Sequence, residues 1–275
     1  MNEKKNFVIN IYKVACIACA CFFIAGTAHA EWFSKANEKD INDSSYDLYL
    51  LIGQSNMAGR GVITEKYEKE GDPHVFMLNK ENKWVTVKNH LHFDKPSVAG
   101  VGPGLSFGIR MEKKNRGNKI GLIPCAVGGT SISVWQPGAY DSATKTHPFD
   151  DMLLRLNEAQ KSGTLKGIIW LQGESDSNPA KAEKYLNQLA QLIKRIRIIA
   201  GNNELAFVAG ELGQYKPQYK NINNVLKKLP DTISNTAVAP SKGLKDKGDN
   251  THFNSASAVK MGTRMAKKMI QLQNL

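Results

Sequence analysis

Gly53-Gln54-Ser55-Asn56-Met57 follows an apolar run, and Asp249-x-x-His252 stands near the far end of the chain. A serine hydroxyl becomes a nucleophile when an imidazole takes its proton, and an aspartate can orient that imidazole. Two further clusters have complementary chemistry. Gly128-Gly129-Thr130-Ser131 offers backbone N–H groups, and Gln172-Gly173-Glu174-Ser175-Asp176 offers an amide and two carboxylates. A nucleophilic hydroxyl, a base and N–H donors for a developing oxyanion are the parts of acyl transfer. Each has a plainer alternative: Ser55 as a helix cap, Gly128-Gly129 as a tight turn, and Glu174 with Asp176 as a glycosidase-type acid/base pair. His252 also competes with His74, His90, His92 and His147, and only the aspartate three residues before it sets it apart. The elbow Gly-x-Ser-x-Gly of common α/β-hydrolases is absent. No Glu-x-x-His and, beyond the leader, no cysteine pair has metal-ligand spacing, and His90-Leu91-His92 is the one His-x-His; serine acyl transfer itself needs no metal or cofactor.

The elements that must hold these clusters follow from apolar periodicity. Short apolar runs predict strands over Asp47–Ile52, Lys119–Ala126, Gly167–Leu171, Leu205–Gly210 and Thr236–Ala239. Amphipathic spacing predicts helices over Pro103–Asn115, Phe149–Ser162, Pro179–Ile199, Asn221–Leu229 and Ser255–Leu272. Strand-helix alternation implies one domain, residues 46–275, built as a three-layer α/β/α sandwich around a mainly parallel sheet. Glu65–His92 breaks the rhythm and is expected to hold a small hairpin or an irregular insertion. In a parallel sheet the carboxyl ends of the strands lie side by side, so the clusters that follow three strands should share one crevice.

The first thirty residues read as a secretory leader. Lys4, Lys5 and Lys13 accompany the apolar stretch Val14–Gly26, and Ala28-His29-Ala30 fits a small-x-small cleavage site. Export to a periplasm or the medium is expected, with 31–45 as a flexible lead-in. No stable membrane insertion would follow cleavage, because the apolar core is shorter than the ~20 residues of a spanning helix. Cys125 would then be the lone cysteine, which excludes an intrachain disulfide; its apolar neighbours favour buried packing over a thiol nucleophile. The formal charge is +12; the leader's three lysines and one glutamate leave +10. The lysines are scattered without interleaved aromatics, which argues against nucleic acid as partner.

Four blocks, in order, carry a resemblance. Ile52–Gly59, Gly128–Ile132 with Trp135, Trp170–Asp176 and Asp249–Phe253 resemble the SGNH (GDSL-like) hydrolases. Within that superfamily they are similar to carbohydrate acetylesterases related to sialate O-acetylesterase and carbohydrate esterase family 6. The resemblance implies an SGNH/flavodoxin-like fold and a serine esterase that removes O-acetyl groups from carbohydrates through an acetyl-enzyme. Ser55, Asp249 and His252 would form the triad. The Ser55 N–H, the Gly128 N–H (or that of Gly129) and the Gln172 side chain would form the oxyanion hole. Glu174 and Asp176 would brace loops or meet sugar hydroxyls. Arg60 and Trp135 would line the entrance, although a core position for Trp135 is equally open. An esterase of broader acyl or lipid specificity and a non-catalytic carbohydrate-binding protein remain as alternatives.

Overall fold

A computed structural model describes residues 45–274. The leader and nearly all of the lead-in expected from the sequence lie outside the described residues. Tyr46–Gly53 is β1, an almost wholly buried strand in which side chains alternate between two cores. Val75–Leu78 (β2) and Trp84–Thr86 (β3) form a hairpin within the segment that broke the periodicity. Helix α1 (Gly104–Lys114) leads to β4 (Lys119–Pro124), and α2 (Pro148–Gln160) leads to β5 (Gly163–Leu171). Then follow α3 (Pro179–Ile199), β6 (Ala206–Gly210), α4 (Tyr219–Leu226), β7 (Thr236–Ala239) and α5 (Ser255–Leu272).

The seven strands make one sheet in the order β3-β2-β4-β1-β5-β6-β7, parallel except for the hairpin strand β3 at the edge. Leu48, Leu50 and Ile52 point into the core under α2, α3 and α4, whereas Tyr49 and Leu51 point into the core under α1 and α5. This is the three-layer α/β/α sandwich. Several boundaries shift by one or two residues from the periodicity, and two shift by more. The fifth strand starts at Gly163 instead of Gly167, because Gly163, Thr164 and Leu165 pair with Tyr46, Asp47 and Leu48 at the start of β1, and Lys166 is the extra residue at a register shift between Leu48 and Tyr49. The helix expected to run to Leu229 ends at Leu226, and a separate turn, Leu229–Thr232, carries Pro230 in its first turn, where a missing N–H is tolerated.

β1 is the hinge of the topology: β4 pairs on one side of it and β5 on the other. The chain therefore leaves β1 at a switch point, where a crevice opens beyond the carboxyl ends. Gly53 makes the exit possible. Its φ is +134°, and a Cβ there would lie 2.2 Å from the Leu171 carbonyl oxygen.

Candidate active site

Ser55 opens a single helical turn, Ser55–Ala58, immediately after β1. It occupies the first helical position, the capping position belongs to Gln54, and no side chain caps the turn. The hydroxyl is thus free of the capping duty that its residue type would allow. His252 Nε2 stands 3.0 Å from Ser55 Oγ across 197 residues of sequence. On the other side of the ring, Nδ1 lies 2.7 Å from Asp249 Oδ2. A carboxylate only accepts, so Nδ1 carries the hydrogen and Nε2 is left to accept from the serine hydroxyl.

The Asp249–His252 turn is tied by its own aspartate. Oδ1 accepts the N–H groups of Thr251 at 3.0 Å and His252 at 2.8 Å, while Oδ2 serves the ring. Desolvation pushes the Asp249 carboxyl up, but hydrogen bonds from the His252 backbone and ring and from Thr251 outweigh it and hold the pKa at about 2.

One side chain sets the histidine's backbone. Asn56 Oδ1 accepts the Phe253 N–H at 2.9 Å, and Nδ2 donates to the Thr251 carbonyl at 3.0 Å. Both neighbours of His252 are therefore pinned by the residue next to Ser55. The second hydrogen of Nδ2 goes to Glu174 Oε1 at 2.5 Å. Burial raises the Glu174 pKa, opposed by the Asn56 hydrogen bond, and Glu174 Oε2 is shut from solvent without a partner among the described residues.

Ser55, His252, Asp249, Arg60, Gly128 and Glu174 line one open cleft of about 480 Å³, and Gly129 also lies on its wall. The other expected site residues lie beneath it, and three expectations are corrected. Gln172 is fully buried, and its Nε2 donates to Asp176 Oδ2 at 2.6 Å, to the Thr130 carbonyl at 2.9 Å and towards Gln54 Oε1 at 3.2 Å. With its donors committed, this amide braces the loops and has none to offer an oxyanion. The Gly128 N–H is committed too, to Asp94 Oδ2 at 2.8 Å. Trp135 is 1% exposed and packs edge-on against Trp170 with Nε1 donating to Thr130 Oγ1 at 3.2 Å, so it belongs to the core and not to the entrance.

Asp176 is buried and holds Ser131 Oγ, the Ile132 N–H at 2.9 Å and Gln172. It ties the second and third sequence blocks together and meets no open space. A paired acid/base role with Glu174 is therefore lost. Cys125 is buried, which pushes its thiol up to about 11.

Three features escape the sequence reading. Asp94, from the irregular segment before α1, pairs with Arg60 at 2.7 Å, both side chains being almost wholly buried beside the cleft floor. Arg60 also donates to the Gly59 carbonyl at 2.7 Å. Gln54 lines the cleft, and its amide nitrogen has no partner among the described residues. Lys95 and Lys247 supply positive charge at the rim. Asn56 and Gln54 stand inside a quoted block, but asparagine and glutamine there signal nothing without their partners. Asp94 has no patterned neighbour at all.

Comparison with known proteins agrees with this architecture. The family model described as carbohydrate esterase, sialic acid-specific acetylesterase, matches residues 45–271. A protein of Arabidopsis thaliana named as a probable carbohydrate esterase is 30% identical over 241 residues, spanning 80% of this chain and 88% of that one. The X-ray structure of the Arabidopsis protein superimposes with a TM-score of 0.72 at 29% identity, covering 82% of this chain and 98% of the other. The fold is shared with NanS (TM-score 0.65, 15% identity, 84% and 98% covered). It is also shared with XAC1771, a carbohydrate acetylesterase from Xanthomonas citri (TM-score 0.65, 20% identity, 82% and 56% covered).

Proposed function

The chain belongs to the sialic acid-specific acetylesterase family of carbohydrate esterases, and on that premise we propose that it is a serine esterase that removes O-acetyl groups from sugars by a two-step mechanism. His252 takes the Ser55 proton as Oγ attacks the acetyl carbonyl, and the imidazolium is held by Asp249. The sugar alcohol leaves with that proton, and the acetyl group stays on Ser55. A water activated by the same histidine then releases acetate and restores the serine.

The observation that carries this reading is the continuous relay from Asp249 through the ring to Ser55, at 2.7 and 3.0 Å. The oxyanion donors are reassigned. The Ser55 N–H starts a helical turn and has no intrahelical acceptor, and the exposed Gly129 N–H has no partner among the described residues. Together with the Gln54 amide they are the donors left uncommitted around the serine. Gly128 contributes by its smallness, since a Cβ there would lie 2.4 Å from Arg60 Nη2 and 2.8 Å from Asp94 Oδ2.

A cleft that mixes charged and amide side chains with an aromatic ring suits a sugar better than a long acyl chain. Its lining includes Glu174, Lys95, Gln54 and the triad, with Tyr219 and Val98 as apolar faces. Lys95, which has no ion-pair partner among the described residues, favours an acidic sugar such as a sialic acid, whereas Lys247 lies 3.8 Å from Asp249 Oδ2. Export through the leader, with cleavage near Ala30, is part of the same proposal and is checked by sequencing the amino terminus of the protein recovered from cells.

Acetate release from O-acetylated sialic acid, acetylated xylan and acetylated pectin tests the substrate, with Ser55→Ala as control. Ser55→Ala should lose about four orders of magnitude of turnover or more. Undiminished turnover in that variant would refute the mechanism. A preference for p-nitrophenyl octanoate over acetate would replace the acetyl assignment with a broader acyl esterase.

A further inference from the structure

A second cleft of about 470 Å³ adjoins the one around Ser55, and Tyr219 lines both. The strap between them is fastened to the two neighbours of His252. Lys216 Nζ donates to Thr251 Oγ1 at 3.0 Å, and the Tyr215 ring meets Phe253 edge-on with centroids 6.0 Å apart. From the other side the cleft is bounded by α4. Lys220, Asn224 and Lys227 follow one another at i, i+4 and i+7, which places them on one helical face.

The cleft gathers three lysines against one carboxylate. Among the described residues, no carboxylate pairs with Lys216, Lys220 or Lys227. The acidic residue in the lining, Glu211, is buried and accepts the Ser241 N–H at 3.0 Å. The Tyr215 and Tyr219 rings add flat apolar faces to the same lining. Ammonium groups gathered around a concave surface repel one another until an anion enters. Tyrosine rings, side-chain amides and ammonium groups together match a sugar ring bearing a carboxylate.

We propose that this cleft is a subsite for a second, anionic sugar residue linked to the acetylated one held at Ser55, so that the preferred substrate is an acidic oligosaccharide. The inference rests on the carbohydrate esterase reading above. It goes further by giving the substrate a length and a charge in the cleft that adjoins the reacting ester.

The test compares the protein with its Lys220→Ala/Lys227→Ala variant. The substrates are acetylated oligogalacturonate and oligosialate, their acetylated monomers, acetylated xylo-oligosaccharide and p-nitrophenyl acetate. Removing two charged donors should raise KM for at least one acidic oligomer about tenfold with kcat unchanged. The effect should shrink at about 0.5 M salt, where the Debye length is only a few ångströms. The monomers and p-nitrophenyl acetate should be hydrolysed as before. Whichever acidic oligomer responds identifies the source of the carboxylate. A KM within about twofold of the parent for both acidic oligomers would overturn the subsite, as would an equal rise for the neutral xylo-oligosaccharide. In either case the esterase reading survives if the monomers are still deacetylated. A parent protein that cleaves p-nitrophenyl acetate but no acetylated sugar would overturn both.

Discussion

Asn56 Nδ2 lies 2.5 Å from Glu174 Oε1, and through this contact a half-buried carboxylate anchors the amide that holds both neighbours of His252. The relay to Ser55 therefore depends on a residue that makes no hydrogen bond to the ring. Misplacing a catalytic group by about 1 Å can cost a hundredfold in rate, which gives the first prediction its scale.

Asn56→Ala should lower kcat by about ten- to a hundredfold while KM for p-nitrophenyl acetate changes little, because the lost function is the orientation of His252. Glu174→Gln keeps an oxygen able to accept from Asn56 and should retain most of kcat. Glu174→Leu should resemble Asn56→Ala. Steady-state kinetics on the three variants, each checked for its melting temperature, decide the matter. An Asn56→Ala enzyme with parental kcat would show that the turn holds His252 unaided.

Asp249 and Glu174 should leave opposite marks on stability against pH. The Asp249 pKa is depressed from 3.8 to about 2, so its contribution is present above the higher value and is lost as pH falls through the lower. Glu174 is raised above its ordinary 4.5, so its contribution is complete below that value and is lost as pH rises through the folded-state pKa. Thermal melts across the acid range should show the gap between the parent and Asp249→Asn closing only below 3.8. Glu174→Gln should gain on the parent as pH climbs above 4.5. A Glu174→Gln difference independent of pH would mean that the carboxyl titrates alike in the folded and unfolded chain.

Gln172→Ala separates a brace from an oxyanion donor. A brace that leaves the buried Asp176 carboxylate short of a donor should cost about 1–3 kcal/mol of stability, seen as a lower melting temperature. An unchanged melting temperature with a loss of about 10²–10³ in kcat/KM would restore the donor role.

Arg60 and Asp94 should be far more sensitive singly than together. Removing Asp94 leaves a guanidinium buried without its counter-charge and should destabilise by about 3–5 kcal/mol. It also frees the Gly128 N–H. Arg60→Leu/Asp94→Leu should recover part of that stability, because a buried pair replaced by apolar side chains costs less than a broken one. Urea denaturation of the single and double variants measures the difference. Additive losses would mean that the two residues act independently.

Much of this architecture was legible in the chain because its physics is local. The bounds Pro179–Ile199, Ser255–Leu272 and Thr236–Ala239 follow directly from apolar spacing with its flanking caps and breakers. Repeated alternation then implies a parallel sheet, which carries the polar clusters after β1, β4 and β5 to one edge. The hairpin strands were harder to read, since four residues in β2 and three in β3 are too short to display a period.

The division of labour within the site was not legible. Gly128 and Gly129 are indistinguishable as letters, but Asp94 claims the N–H of Gly128. Gln172 has the same amide whether it faces an oxyanion or, as here, Thr130 and Asp176. Trp135 could have been a sugar platform until Trp170 packed against it. Each outcome rests on which donor meets which acceptor across tens or hundreds of residues. A hydrogen bond is decided by fractions of an ångström and by angle, and periodicity along a chain carries no information about either.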